Sequence, residues 1–430
     1  MKYEAIENSL FIKNRKKFVA QMKSNSIAFF NSNDIYPVSA DSTLPFAQHR
    51  DLFYLTGVDQ EESVLFLYPT AKKKEYQEIL FVRETNEHIA IWEGAKLSKS
   101  QGTKTSGIAT VLWLSELESI LEELMTTVEN VYVNINGHYR AKVETETRED
   151  RFIKMIKEKY STKKIEESNP ILQSIRSVKE IEEIALIQKA CIITEKGFRR
   201  LLSFVKPGVW EYEIEAELIH EFIKNRSKGF AYTPILASGN NANVLHYIEN
   251  NQQCKSGELI LMDVAAEYAN YSSDLTRTIP VSGKFTDRQR EVYMAVHKIK
   301  KEATKMLVPG VFLKDYHAEV GKMMTSALLT LKLLDKAAIQ NEKLAWPAYK
   351  KYFMHGTSHH MGLDTHDYGV LTDPIQANMV FTVEPGIYIP EEGFGIRLED
   401  DVVVQESGVP FNLMQNIPIE ADEIEDLMNS

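Results

Sequence analysis

The sequence predicts an α/β (α+β) protein in two domains, and three observations predict it. Strand-length apolar runs alternate with charged helical stretches from Met1 to Tyr160. A charged, poorly periodic segment, Arg148 to Asn169, then leads to Pro170. Beyond it, long amphipathic stretches alternate with short apolar runs that read as buried strands. With 430 residues, 43% hydrophobic and 26% charged, the chain is long enough for two or three domains, can bury a large core and is too apolar for disorder.

In the first domain, Ile27 to Phe30, Val64 to Tyr68, Ile79 to Val82 and Val131 to Val133 read as strands, and Leu114 to Leu124 reads as a helix. That order predicts a mixed or parallel sheet. The domain has neither a Gly-x-Gly-x-x-Gly fingerprint nor a phosphate-loop lysine. The segment Met1 to Ala20 carries Lys13, Arg15, Lys16 and Lys17 and no apolar core, so no signal peptide is expected. The longest apolar runs, such as Leu259 to Met262, are far too short to span a bilayer. With 61 acidic residues against 50 basic ones, a net charge of −11 repels a phosphate backbone. A cytoplasmic protein without nucleic-acid or membrane partners is expected. The two cysteines, Cys191 and Cys254, give no disulfide framework.

The second domain opens with Ser177 and Glu180 as a capping-box pair, followed by Ile181, Ile184, Ile187, Cys191 and Ile192 at helical spacing. Cys191 lies on that apolar stripe, which predicts a buried small side chain. Thr286 and Gln289 open another helix, carrying Val292, Val296 and Ile299. Two phrases repeat: Pro207-Gly208-Val209-Trp210 with Ala216-Glu217-Leu218, and Pro309-Gly310-Val311-Phe312 with Ala318-Glu319-Val320. They predict two related halves between residues 177 and 405, each of helices followed by antiparallel strands.

Chemistry concentrates at the strand ends. Leu259 to Asp263 and Ser273 to Thr278 read as a hairpin. A turn at Tyr268-Ala269 would set Asp263 opposite Asp274, with Cβ atoms about 4.5–5.5 Å apart. Two buried carboxylates that close need cations. Met379 to Val383, closed by Glu384-Pro385-Gly386, is expected to pair with Gly395 to Val402. Alternation then puts Arg397 and Glu399 on one face and Asp400 on the other, so that Asp400→Asn should keep both ions and most of the activity. Histidines cluster from His355 to His366, where Gly356 replaces the glutamate of a His-Glu-x-x-His helix. A set of four carboxylates and one imidazole suits Mn²⁺, Mg²⁺ or Co²⁺ better than a closed tetrahedral zinc site. Four carboxylates also neutralise two divalent ions, which can activate a shared water for hydrolysis.

The ordered set Asp263, Asp274, His359, Glu384, Glu399, with its surrounding phrases Leu261-Met262-Asp263-Val264, Asp274-Leu275-Thr276-Arg277-Thr278, His355-Gly356-Thr357-Ser358-His359, Thr382-Val383-Glu384-Pro385-Gly386 and Gly395-Ile396-Arg397-Leu398-Glu399-Asp400, resembles the pita-bread metallopeptidases, and within them aminopeptidase P. Leu52-Phe53-Tyr54-Leu55-Thr56-Gly57 extends the resemblance to the N-terminal part. The resemblance implies an aminopeptidase P-type α/β domain over 1–165 and a pita-bread catalytic domain with an internal pseudo-twofold repeat over 170–430. It implies two divalent ions, usually manganese, held by Asp263, Asp274, His359, Glu384 and Glu399. Glu384 would also handle the proton of the bridging water. His246, His355 and His366 would contact substrate, and Arg397 would orient ligands. The implied activity is release of the first residue from proline-containing peptides with proline second, by a homodimer or homotetramer. The alternatives are a prolidase confined to Xaa-Pro dipeptides and a non-catalytic protein-binding module, which would have lost metal ligands.

Overall fold

The computed structural model describes residues 3–343 and 346–430. The chain divides into two compact units, Tyr3–Arg176 and Ser177–Ser430.

The first unit is built on a six-stranded mixed sheet. After helix α1 (Ser9–Val19) come β1 (Ser26–Asn31), β2 (Val64–Leu67), β3 (Glu78–Val82), β4 (Thr110–Trp113), β5 (Asn130–Val133) and β6 (Lys164–Glu167), in the spatial order β4-β3-β2-β1-β5-β6. The β1–β2 and β2–β3 pairs are antiparallel, and the other three are parallel. The central strand β1 is buried along its whole length, so its sequence is a continuous apolar run rather than an alternation. Phe29 packs edge-to-face on Phe66 at 4.6 Å and on Phe152 at 5.2 Å, with helix α2 (Leu117–Met125) contributing Leu121 and Leu124 to the same core. The segment read as a boundary region is helix α3 (Arg148–Lys159) followed by β6. Its charges reflect its place: Lys164-Ile165-Glu166-Glu167 is an edge strand, where charged side chains discourage further pairing. Polar groups are buried here in satisfied pairs. Arg176 donates to Asp51 at 2.7 Å, and Glu149 accepts from the backbone N–H and side-chain amide of Asn31 at 2.7 and 2.9 Å.

In the second unit, helix α4 (Ile181–Phe204) begins one turn later than Ser177 suggests. Ser177 is the last residue of the preceding helix, Asn169–Ser177, and the cap is Glu180, whose N–H donates to the Glu183 carboxylate at 2.9 Å. Helices α5 (Glu211–Lys224), α6 (Asp287–Met306) and α7 (Leu313–Thr330) follow. The Thr286–Gln289 box at the start of α6 is formed, with reciprocal bonds of 2.9 and 3.2 Å. Both Pro-Gly turns, before α5 and before α7, place glycine at positive φ, +96° at Gly208 and +90° at Gly310.

The strands of this unit are β7 (Ile235–Ser238), β8 (Leu259–Asp263), β9 (Glu267–Tyr268), β10 (Tyr271–Ser272), β11 (Thr276–Pro280), β12 (Val380–Val383), β13 (Gly386–Ile389), β14 (Phe394–Arg397), β15 (Asp400–Val403) and β16 (Phe411–Asn412). β8 lies between β11 and β7, and β15 between β12 and β16.

Two register expectations are corrected. The first hairpin turns at Ala269-Asn270, both at positive φ (+54° and +66°), the signature of a two-residue type I′ turn. Asp263 is therefore opposite Thr276, not Asp274. In the second hairpin the ladder is interrupted. β12 pairs with β15, β13 pairs with β14, and Glu384-Pro385 and Leu398-Glu399 lie at the break.

That break lets the two hairpins join. Glu399 N–H, released from its own ladder, donates to Thr276 C=O at 3.0 Å. Arg397 N–H donates to the Thr278 hydroxyl, which donates back to the Arg397 carbonyl. Arg277 ties Glu399 C=O and the Asp400 carboxylate, both at 2.6 Å.

Candidate metal centre

The joined hairpins fix where the carboxylates lie. Asp263 ends β8. Its Oδ1 accepts from the Tyr232 hydroxyl and its Oδ2 from the Arg397 guanidinium, each at 2.6 Å. Arg397 also donates from Nε to Thr276 Oγ1 at 3.0 Å, and that hydroxyl donates to Glu399 Oε2 at 2.6 Å. Arg397 and Glu399 thus meet on one side of the strand. Asp274 is placed from behind, because its backbone N–H donates to the buried Asp401 carboxylate at 2.9 Å. Cys191 is buried beside the same carboxylate, its Sγ 3.5 Å from Asp401 Oδ2.

The histidine segment is not a helix. It runs irregularly along β12, with Met361 N–H bonded to Val380 C=O, Thr382 N–H to His359 C=O and Glu384 N–H to Thr357 C=O. His359 Nδ1 lies 2.9 Å from the His360 carbonyl. A carbonyl only accepts, so the proton is on Nδ1 and the Nε2 lone pair is free to ligate. Nε2 is 3.5 Å from both Asp274 Oδ2 and Glu384 Oε1. Ligand atoms of Asp274, His359 and Glu399 lie within 4.8 Å of one another, a spacing one cation could span.

His355 is held by the same logic. Its Nδ1 donates to Gly356 C=O, while Nε2 accepts from the Tyr388 hydroxyl, each at 2.7 Å. Tyr388 in turn accepts from Arg397 Nη1 at 2.7 Å. Burial, with the Arg397 and His246 charges, pushes the His355 pKa down to about 3, so this imidazole is neutral. His366 is exposed, its ring edge-to-face on His359 at 4.3 Å, and His246 is exposed in a turn. His360 is buried against Phe381 at 4.4 Å instead of facing the carboxylates.

The electrostatics test the fit of a cation. Burial pushes the Glu384 carboxyl up to about 7, with Asp274 and Asp263 adding to the shift against His359 and Arg397. Burial and the other three carboxylates lift Glu399 well above its ordinary range, and burial and Asp274 lift Asp263 against the pull of Arg397. For His359, the Asp274 and Glu384 charges outweigh burial and raise the imidazole. Four carboxylates share one guanidinium, so the residues present fit divalent cations in charge and in donor type.

Tyr232, Thr276, Tyr388 and Asp401 belong to this network, and residue-type patterning alone did not single them out. A signal existed for one: Tyr388 is fully buried in a strand, and a buried phenol needs a partner for its O–H.

Comparison with known proteins follows the same division. The family model for metallopeptidase family M24 matches residues 185–406, and that for the aminopeptidase P N-terminal domain matches residues 11–132. The chain is 34% identical to the Xaa-Pro aminopeptidase of Escherichia coli (strain K12), covering 98% of each. It is 30% identical to Xaa-Pro aminopeptidase 3 of Homo sapiens, over 96% of this chain and 83% of that one. Among solved structures, E. coli aminopeptidase P in a low-pH form superposes with a TM-score of 0.90 at 33% identity, covering 99% of both chains. The same enzyme with the inhibitor Pro-Leu gives 0.88 at 32% identity, again covering 99% of both. No helix among the described residues is long and apolar enough to cross a membrane. A peptidase-family match over the carboxylate-bearing hairpins, preceded by the matching N-terminal domain, leads to one conclusion: the chain belongs to metallopeptidase family M24, in its aminopeptidase P branch.

Proposed function

We propose that this chain hydrolyses the bond between an N-terminal residue and a following proline, using two divalent ions, of which manganese suits the site best. The observation that supports it most is the meeting of Asp274, His359 and Glu399 in a buried cluster that also holds Glu384 and Asp263. In this reading Asp263, Asp274, His359, Glu384 and Glu399 hold the metals. When bound, the ion pair lowers the pKa of a shared water and polarises the scissile carbonyl. Glu384 would also accept and return the proton of that water. Neutral His355, His246 and exposed His366 contact the peptide. Arg397 holds Asp263 in place through Oδ2 and Tyr388 through its hydroxyl.

Proline suits such a site because its tertiary amide has no N–H and a fixed φ, features that a directly attacking water tolerates. The names of the E. coli and human relatives support the specificity. A tripeptide with central proline tests it: release of the first residue is expected, whereas cleavage confined to Xaa-Pro dipeptides would assign a prolidase. Family resemblance extends the proposal to a cytoplasmic homodimer or homotetramer, which light scattering coupled to size exclusion would check.

A further inference from the structure

We propose that a buried ion pair outside the ligand set, Lys179–Asp367, positions the metal-facing histidine. This inference rests on His359 being a ligand. Lys179 Nζ donates to Asp367 Oδ2 at 2.8 Å, and the two side chains are 1% and 2% exposed. Lys179 lies just before helix α4, and its N–H donates to Asn378 C=O, immediately ahead of β12.

The link to the site runs through one carbonyl. His360 C=O accepts from Asp367 N–H at 2.9 Å and from His359 Nδ1–H at 2.9 Å. Asp367 thus closes the turn 360–367 onto the oxygen that sets the His359 tautomer and ring orientation. Its Oδ1 also accepts from Tyr368 N–H at 2.8 Å, fixing the far end of the turn. His366, whose ring meets His359, is the residue before Asp367.

The turn is wrapped around the pair. A Cβ on Gly362 would fall 2.2 Å from Asp367 Oδ2 and 2.8 Å from Lys179 Cε, so only glycine leaves room. Gly362 C=O is in turn bonded to Ser272 N–H of β10, which pins the turn to the first hairpin. Outer partners of metal-bound imidazoles tune affinity by about 10–100-fold. Lys179 and Asp367 are therefore positioning residues, acting through the His360 carbonyl.

The test is manganese binding to metal-depleted protein, by calorimetry. Lys179→Met combined with Asp367→Leu replaces the pair with apolar groups of similar size, an exchange that often leaves stability unchanged or improved. The thermal midpoint should stay within a few degrees of wild type while the manganese Kd rises about 10–100-fold. Gly362→Ala, which keeps both charges but pushes them apart, should raise the Kd in the same direction. A Kd within threefold of wild type in either folded variant overturns the proposal. His359→Ala separates the two levels. If it binds manganese like wild type, His359 is no ligand and the proposed function fails first. If it loses manganese while the pair variants do not, only the positioning role fails.

Discussion

Two adjacent carboxylates at the start of β15 occupy opposite environments. Asp400 is buried against two cations, Arg277 at 2.6 Å and Lys300, and also accepts from Asn412 at 2.8 Å. Those charges hold its pKa below the ordinary value in spite of burial. Glu399, one residue earlier and equally buried, faces Asp274, Glu384 and Asp263, and its pKa is driven up. One charge is compensated by the protein and the other is not. A folded protein tolerates uncompensated buried charge when something outside the chain supplies the balance, and in the proposed function divalent ions would supply it.

The largest effect expected from breaking this contrast falls on the Glu399 side. Glu399→Gln removes a proposed metal ligand and one negative charge. Xaa-Pro cleavage should fall by orders of magnitude and metal content should drop. The metal-free variant should unfold at the same temperature as metal-free wild type or higher, because repulsion is relieved. Paired assays of metal content and thermal midpoint check this, and a wild-type metal load would contradict it.

Asp400→Asn should act the other way. Asp400 lies away from the cluster, held between Arg277 and Lys300, so metal binding is expected to survive while stability falls. The substitution leaves Arg277 and Lys300 buried with their anionic partner gone, which costs about 3–5 kcal/mol. Chemical denaturation should show that loss, while the folded fraction keeps its metal. Full stability would show that the buried pairs carry no net weight.

The contrast also explains what the sequence made legible. The four carboxylates stood out because Asp and Glu at the ends of apolar strands are chemically conspicuous, whereas His359 was set apart from its neighbouring histidines only by the family resemblance. The geometry that joins them was hidden in ordinary residues. An Ala-Asn turn shifted the first hairpin by two residues, and Thr276, which looks like any β-branched strand residue, bridges Arg397 and Glu399. In the first unit the central strands announced themselves as apolar runs. The charged edge strand β6 did not, because half-exposed pairing needs little hydrophobic sequence.

A third buried carboxylate sharpens the comparison with the smallest effect. Glu149, in the first unit, has neither a cation partner nor a metal cluster among the described residues, and burial raises its pKa to about 8. Folded protein therefore holds a proton that the unfolded chain releases above its ordinary pKa of 4.5. Stability from this group is present at low pH and declines as pH rises from 4.5 towards 8. In Glu149→Gln the melting temperature should depend less on pH across that window, and an unchanged pH profile would show that Glu149 is ionised in the fold.

In the proposed function, the uncompensated cluster holds two cations for hydrolysis. Manganese titration of chelator-stripped protein, with cleavage of a central-proline tripeptide followed at each addition, tests it directly. Binding should saturate at two ions per chain, with activity absent before the first addition and complete at saturation. Full activity in stripped protein, or saturation with no activity towards the tripeptide, would contradict it.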